Sequence, residues 1–248
     1  MRARCFLPAE SWPAGRELRL TGREAHHLSR VLRVRKGESL LCFDGRGREA
    51  EAVVREIKPK ETLLEMGPAR QVPASACSIS LGIAVPGQGK LEEIVNSSTQ
   101  LGVRRILPLL TERTVVQFTP DRFDRKRAHL EQVSIEAAKQ SGTSHLPEIL
   151  PLTTWRQLLP TFEQYDHVLM ATVEGPHEPL REILRSSKTA QLLLLIGPEG
   201  DFSPEEIRQG VQAGARRIGL GSSVLRCETA VVAALSIVQF VLRETDRP

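Results

Sequence analysis

The chain has 248 residues, enough for one large domain or two modest ones with a real core. Apolar residues make up 40% and charged residues 26%, which excludes a disordered chain, and a net charge of +4 leans mildly towards polyanions. Cys5, Cys42, Cys77 and Cys227 form no CxxC or Cys/His cluster, which argues against a metal site and suits reduced thiols in a cytosol. The first stretch carries charges and prolines rather than an apolar core, so no signal peptide is expected. No apolar run is long enough to span a membrane.

Residues 1–70 read as a small, mostly β domain. Strands are expected at residues 2–7, 17–20, 39–43, 49–54 and 62–66, separated by turn residues that include Asp44-Gly45. One helix interrupts them, from Glu24 to about Val34, with Leu28, Val31 and Leu32 at helical spacing. Arg23, Arg30, Arg33, Arg35 and Lys36 crowd this helix and its end. Such a run is either a solvated face or a patch that tracks phosphates. His26 and His27 suit contacts to RNA or plain helix packing.

Residues 71–76 read as a linker, and from residue 77 strands and helices alternate. Strands are expected at 78–85, 103–109 and 166–173, with a short extended piece at Val115-Val116. Leu91, Ile94, Val95, Ser98 and Leu101 mark one helix face, and Leu130, Val133 and Ala137 another over residues 124–140. Short helices are expected at 155–159 and 180–184. The order indicates an α/β domain with a mostly parallel sheet.

The chain then runs through Leu192-Leu-Leu-Leu-Ile196 into Gly197-Pro-Glu-Gly-Asp-Phe-Ser203. A run of this kind with a glycine stop reads as a buried parallel strand. Ser203 as N-cap, Pro204 at the first position and Glu206 three residues on predict a helix start with a capping box. The pattern nearly repeats at Arg216-Arg-Ile-Gly-Leu-Gly221, followed by a loop that feeds a helix over residues 228–243. The two loops are expected side by side at one sheet edge, where a strand, a glycine turn and a capped helix make a ligand site. The final helix is apolar nearly all round, so either a second subunit or a neighbouring helix of the same chain must cover it. GxGxxG fails because Val224 stands where the third glycine belongs. The stretch at Gly87-Gln-Gly-Lys90 is no P-loop, since Ala84 and Leu91 occupy required positions. A common NAD or ATP site is therefore not expected.

Gly197-Pro-Glu-Gly-Asp-Phe-Ser203 with Leu220-Gly-Ser-Ser-Val-Leu-Arg-Cys-Glu-Thr-Ala230 resembles the paired C-terminal signature of the RsmE family, SPOUT-class enzymes that methylate uridine N3 in small-subunit (16S) ribosomal RNA. Lys90-Leu-Glu-Glu-Ile94, Gln100-Leu-Gly-Val103, Glu136-Ala-Ala-Lys-Gln-Ser-Gly142 and His26-His-Leu-Ser-Arg-Val-Leu-Arg33 agree with it. Asp201 stands where the family usually has glycine, Gln100 where it has Glu, and Thr143 where an arginine commonly follows. The resemblance implies a PUA-like RNA-binding β-barrel over 1–70 and a SPOUT domain over 77–248 with a C-terminal trefoil knot. It also implies a homodimer through the last helix, a cytoplasmic setting, no membrane and no metal.

By the same resemblance the cofactor is S-adenosylmethionine (SAM), held at Thr172, Leu195, Ile196, Gly197, Pro198, Gly200, Leu220, Gly221, Val224, Leu225 and Thr229. Backbone groups of the two loops would read the adenine edge, and glycine permits that approach. RNA contacts are implied at Arg23, His26, Arg30, Arg33, Arg35 and Lys36. Arg226 is the candidate for the substrate side, holding a phosphate or a developing uridine anion, unless it pairs with Glu199 or Glu228. Glu199 is either a proton acceptor or structural. Cys227 reads as a small loop residue rather than a nucleophile. Other readings are a SPOUT enzyme acting on a ribose 2′-hydroxyl or another base, and a non-catalytic RNA-binding assembly factor.

Overall fold

The computed structural model describes residues 3–58, 60–87, 89–115, 119–184 and 189–245. The chain forms two compact units: Met1–Ala74 with Ile135–Leu146, and Ser75–Ser134 with Pro147–Pro248. Arg2 of the first expected strand and Val116 of the extended piece lie outside the described residues.

The first unit is a curled five-stranded sheet. Its strands are β1 (Arg4–Phe6), β2 (Glu17–Thr21), β3 (Ser39–Phe43), β4 (Arg48–Lys58) and β5 (Glu61–Gln71), in the order β1-β3-β4-β5-β2. The strands β4 and β5 run well past their expected ends. Register shifts between Ala50 and Ala52 and between Val54 and Glu56 bend the pair, as bulges do. Alternate residues Leu40 and Cys42 of β3, and Leu64 and Met66 of β5, fill the core inside the curl.

The expected helix over 24–34 is shorter and differently wound. It starts as α1 (Gly22–His26) and continues as a π turn over His27–Val31. There Leu32 N donates to the His27 carbonyl at 2.9 Å and Val34 N to the Leu28 carbonyl at 3.0 Å. Arg33 then takes a left-handed φ of 51°, which ends the helix before Val34.

Segment 135–146 completes this unit through buried polar contacts. Lys139 Nζ, with 7% of its side chain exposed, donates to Glu24 Oε1 at 2.5 Å. Glu24 Oε2 in turn accepts from Phe6 N at 3.1 Å. Buried Arg4 donates to the Gly142 and Thr143 carbonyls and to Ser144 Oγ. Ser144 Oγ donates to Glu49 Oε2, and Arg70 pairs with the other Glu49 oxygen. Burial pushes the Glu49 carboxyl up, but the Ser144 and Arg70 hydrogen bonds and both arginine charges outweigh it and hold it below the usual carboxylate range.

The second unit is an α/β domain. Its strands are β6 (Ser78–Ala84), β7 (Arg105–Leu110), β8 (Glu148–Ile149), β9 (Thr153–Thr154), β10 (His167–Ala171), β11 (Gln191–Ile196) and β12 (Ala215–Ile218). The order is β12-β10-β11-β6-β7-β8, with β9 also on β7, and every described pairing in it is parallel. The helices are α2 (Lys90–Gln100), α3 (Pro120–Ser141, counted with the first unit from Ile135), α4 (Trp155–Leu158), α5 (Leu180–Leu184), α6 (Pro204–Gln212) and α7 (Cys227–Thr245). Central β11 is buried on both faces. Leu192, Leu194 and Ile196 pack in one cluster with α2 and α7, while Leu193 and Leu195 pack in another with Trp155 and Phe202. The capping box on α6 is present, with Glu206 N donating to Ser203 Oγ at 3.3 Å and Ser203 N to Glu206 Oε2 at 2.9 Å.

The loops after β11 and β12 meet at one sheet edge as expected, although their strands are not neighbours: β10 lies between them and pairs with both. Strand order is set by long-range pairing, which local pattern does not carry. The helix α7 is also not buried all round. Val231, Ala234, Leu235, Val238 and Val241 face the core, but Val232, Ile237 and Phe240 are 41%, 43% and 57% exposed.

Candidate functional site

The carboxyl ends of β10, β11 and β12 open onto one cleft. Its walls are residues 171–173, residues 196–199 with Asp201, and residues 220–225, with Cys227 and Ala230 of α7 at the back. The space, mouth included, is about 630 Å³. Two glycines shape it. A Cβ on Gly197 would stand 3.0 Å from the Phe202 backbone nitrogen, so any side chain there would press the folded-back loop apart. Gly221 holds a φ of 121°, which L side chains rarely adopt. Among the described residues, the backbone N–H and C=O groups of 220–225 make no hydrogen bond within the chain. Val224 stands at the lip with 72% exposure. The cleft thus combines apolar side chains with backbone donors and acceptors left free for a flat polar edge.

The charged groups around the cleft are divided. Glu228 pairs with Lys90, whose Nζ lies 3.1 Å from Oε2. The Glu228 carboxyl is held below the ordinary range, first by its own backbone N–H at the helix start and then by Lys90 and Arg226. Arg226 is exposed, and its guanidinium makes no hydrogen bond or ion pair among the described residues. Glu199 is exposed, and its Oε1 accepts from Gly87 N at 3.4 Å. Cys227 Sγ donates to the Gly197 carbonyl at 3.4 Å. Burial, with Glu199 and Glu228 nearby, pushes this thiol up to about 11, which leaves it a protonated structural group rather than a nucleophile.

Of the residues expected at a cofactor site, Thr172, Ile196, Gly197, Pro198, Leu220, Gly221, Val224 and Leu225 line the cleft. Leu195, Gly200 and Thr229 do not. The Leu195 side chain is buried on the opposite sheet face, one residue out of phase with Ile196. Gly200 sits at the loop tip, where its carbonyl accepts from Arg113. Thr229 faces outward on the first turn of α7. Ser222 and Ser223 line the cleft within the expected loop, and Ala171, Val173 and Asp201 line it without having been expected. The signal for Ala171 and Val173 was the end of the third strand, which becomes visible only once β10 is placed between β11 and β12. In the other unit, Arg23, His26, Arg30, Arg33, Arg35 and Lys36 are all exposed, with Val31 and Leu32 exposed among them.

Residues 73–239 match the RNA methyltransferase domain family, and residues 20–65 match the RNA methyltransferase PUA domain. The chain belongs to the RsmE family of RNA methyltransferases. Ribosomal RNA small subunit methyltransferase E of Bacillus subtilis is 28% identical over 227 residues, covering 89% of each chain. Among solved structures, the RsmE of Neisseria gonorrhoeae bound to SAM superposes with a TM-score of 0.87 at 27% identity, covering 97% of this chain and 98% of that one. A Legionella pneumophila structure with bound SAM gives 0.88 at 29%, with the same coverage. RsmE membership accounts for the mostly parallel α/β sheet and the curled N-terminal sheet. No described helix is long and apolar enough to cross a membrane. No described cluster of His, Cys, Asp or Glu is placed to hold a metal.

Proposed function

We propose that this protein transfers a methyl group from SAM to N3 of a uridine in 16S ribosomal RNA, acting in the cytoplasm on the RNA or the small subunit. The observation that carries the reading is the cleft at the ends of β10, β11 and β12, with unspent backbone groups over 220–225 and an apolar wall. Those features suit SAM: a flat adenine with a polar edge, a ribose and a cationic tail. Ile196, Leu220 and Leu225 would pack on the base and the loop backbone would read its edge.

Bound there, SAM supplies an activated methyl, so the protein needs no nucleophile of its own. The chain must hold the uridine ring in line with that methyl, and alignment alone supplies several kcal/mol. The uridine N3 gains the methyl and loses its proton, and negative charge builds on the pyrimidine as the proton leaves. Exposed Arg226, between the cleft-lining residues Leu225 and Cys227, would stabilise that charge or grip a flanking phosphate. Glu199, which among the described residues accepts one long hydrogen bond from Gly87 N, is the carboxylate at the cleft that would take the proton. We include in the reading the trefoil knot over the C-terminal segment. The direct test is nucleoside mapping of ribosomal RNA from cells lacking the protein. A missing 3-methyluridine, restored by the gene, is the expected result; an unchanged nucleoside profile overturns the reading.

Two expectations accompany it. The exposed apolar residues Val232, Ile237 and Phe240 of α7 support a two-fold dimer on that face. Light scattering at micromolar protein is expected to report twice the chain mass, and Phe240→Glu to return the mass to one chain. An active monomer over that range counts against the dimer. In the first unit, the exposed cations on the π turn and after it support RNA backbone contacts. Replacing Arg30 and Arg33 with Ala is expected to flatten the plot of log affinity against log salt by about 0.7–0.9 for each phosphate that is no longer neutralised. KM for RNA should rise with little change in kcat. An unchanged slope returns the segment to a solvated face.

A further inference from the structure

Asp201 is unusual on three counts. It holds a left-handed φ of 61° without being glycine, at a position where the family resemblance places glycine. Its own N–H closes the turn onto the Pro198 carbonyl at 2.9 Å. Both carboxylate oxygens are used: Oδ1 accepts from Phe202 N at 2.7 Å and Oδ2 from Val173 N at 2.8 Å.

The second of these bonds reaches beyond the sheet. The pairing of β10 with β11 ends at Ala171 and Ile196. The next amide, Thr172 N, donates the other way, to the Ile218 carbonyl of β12 at 3.1 Å. Val173 N follows, past the ladder, with no strand partner left on the β11 side. The Asp201 side chain supplies that partner and carries the connection across the mouth between two walls of the cleft. Phe202, which anchors the other end, is 1% exposed and packs against Trp155 with ring centroids 5.3 Å apart. Glycine at 201 would adopt the turn with less strain but could not make either bond.

We propose that Asp201 is a positioning residue: its carboxylate latches the loop after β10 to the loop after β11 and holds the cofactor cleft in its binding shape. This rests on the reading of the cleft as the SAM site. The left-handed turn is kept because the side chain it directs at Val173 aligns two loops that the backbone alone leaves unlinked. Such a latch acts on the shared nucleoside slot, so it affects SAM and the demethylated product S-adenosylhomocysteine alike.

The test uses the full chain and two variants, Asp201→Gly and Asp201→Asn. Glycine fits the backbone and lacks both acceptors. Asparagine tolerates the backbone and keeps one acceptor while turning its NH2 towards the other donor. Calorimetry is expected to show both SAM and S-adenosylhomocysteine weakened about tenfold or more in Asp201→Gly, and less in Asp201→Asn. Amide hydrogen exchange in the free protein should show Val173 losing protection in Asp201→Gly while β10 itself stays protected. RNA affinity should not change. Unchanged cofactor affinity in a folded Asp201→Gly overturns the proposal. A loss confined to SAM overturns it too, because the carboxylate would then act on the cofactor's positive charge rather than on the shape of the cleft. If the unaltered protein fails to bind SAM, the reading of the cleft falls first and the latch with it; binding by the unaltered protein with no change in the variants removes the latch alone.

Discussion

Replacing Arg226 with Ala is expected to lower kcat for RNA methylation by about 10²–10³, with cofactor affinity unchanged. The size is that of a single preorganised charge removed from a developing anion. Three observations single out this residue. It lies between the cleft-lining residues Leu225 and Cys227. It is exposed and makes no hydrogen bond or ion pair among the described residues. The acid most able to neutralise it, Glu228, is engaged by Lys90. Arg226→Lys should recover part of the rate, since it keeps the charge and loses the planar fork. The decisive measurement is single-turnover methylation with cofactor and RNA both saturating. A full rate there, with only KM for RNA raised, would move Arg226 from the reacting base to a flanking phosphate. A parallel loss of cofactor affinity would make it part of the cofactor site instead.

The second large effect is expected at Gly221. Its neighbourhood is open: a Cβ there would meet nothing within 4 Å. The constraint is therefore conformational rather than steric. At a φ of 121° a β-branched residue costs on the order of 1–3 kcal/mol, and the exposed loop over 220–225 will move rather than bear it. Moving it displaces the backbone groups proposed to read the adenine. Gly221→Val is expected to weaken SAM binding by about 5–150-fold, which is that strain expressed as affinity. The melting temperature should change little, because the loop lies outside the packed core. Calorimetry on the folded variant decides it, and unchanged affinity would mean that the loop does not touch the cofactor.

Much of the α/β unit was legible because its signals are local. Five apolar residues stopping at Gly197 marked the central strand, and Ser203 with Glu206 marked the next helix start. Glycine stops also pointed to the two loops of the cleft. What was not legible depends on distant pairing or on side-chain parity. No local pattern says that β10 slips between β11 and β12, so the contribution of Ala171 and Val173 was missed. Leu195 lies next to Ile196 in the chain, yet alternation sends it to the Trp155 side of the sheet. The π turn after His26 leaves its apolar residues at ordinary helical spacing, so periodicity reads straight through it. Asp201 appeared as a departure from the family pattern; only its φ and its two hydrogen bonds give it a task.

The curled N-terminal sheet is completed by a segment separated from the rest of its unit by 60 residues of chain, since Ala74 is followed in that unit by Ile135. During synthesis, residues 3–74 emerge with Arg4 and Glu24 lacking the partners they have in the finished protein. Gly142, Thr143 and Ser144 for the one, and Lys139 for the other, are still untranslated. A desolvated charge without its partner is strongly destabilising. The sheet therefore cannot reach its final state as a free-standing first product. Its folding must wait for residue 146, by which time all of β6 to α3 has also been delivered. A fragment ending near residue 74 is then a poor vehicle for transplanting this module, whereas one rejoined by a short linker to residues 135–146 carries Lys139 for Glu24 and the hydrogen-bond acceptors for Arg4.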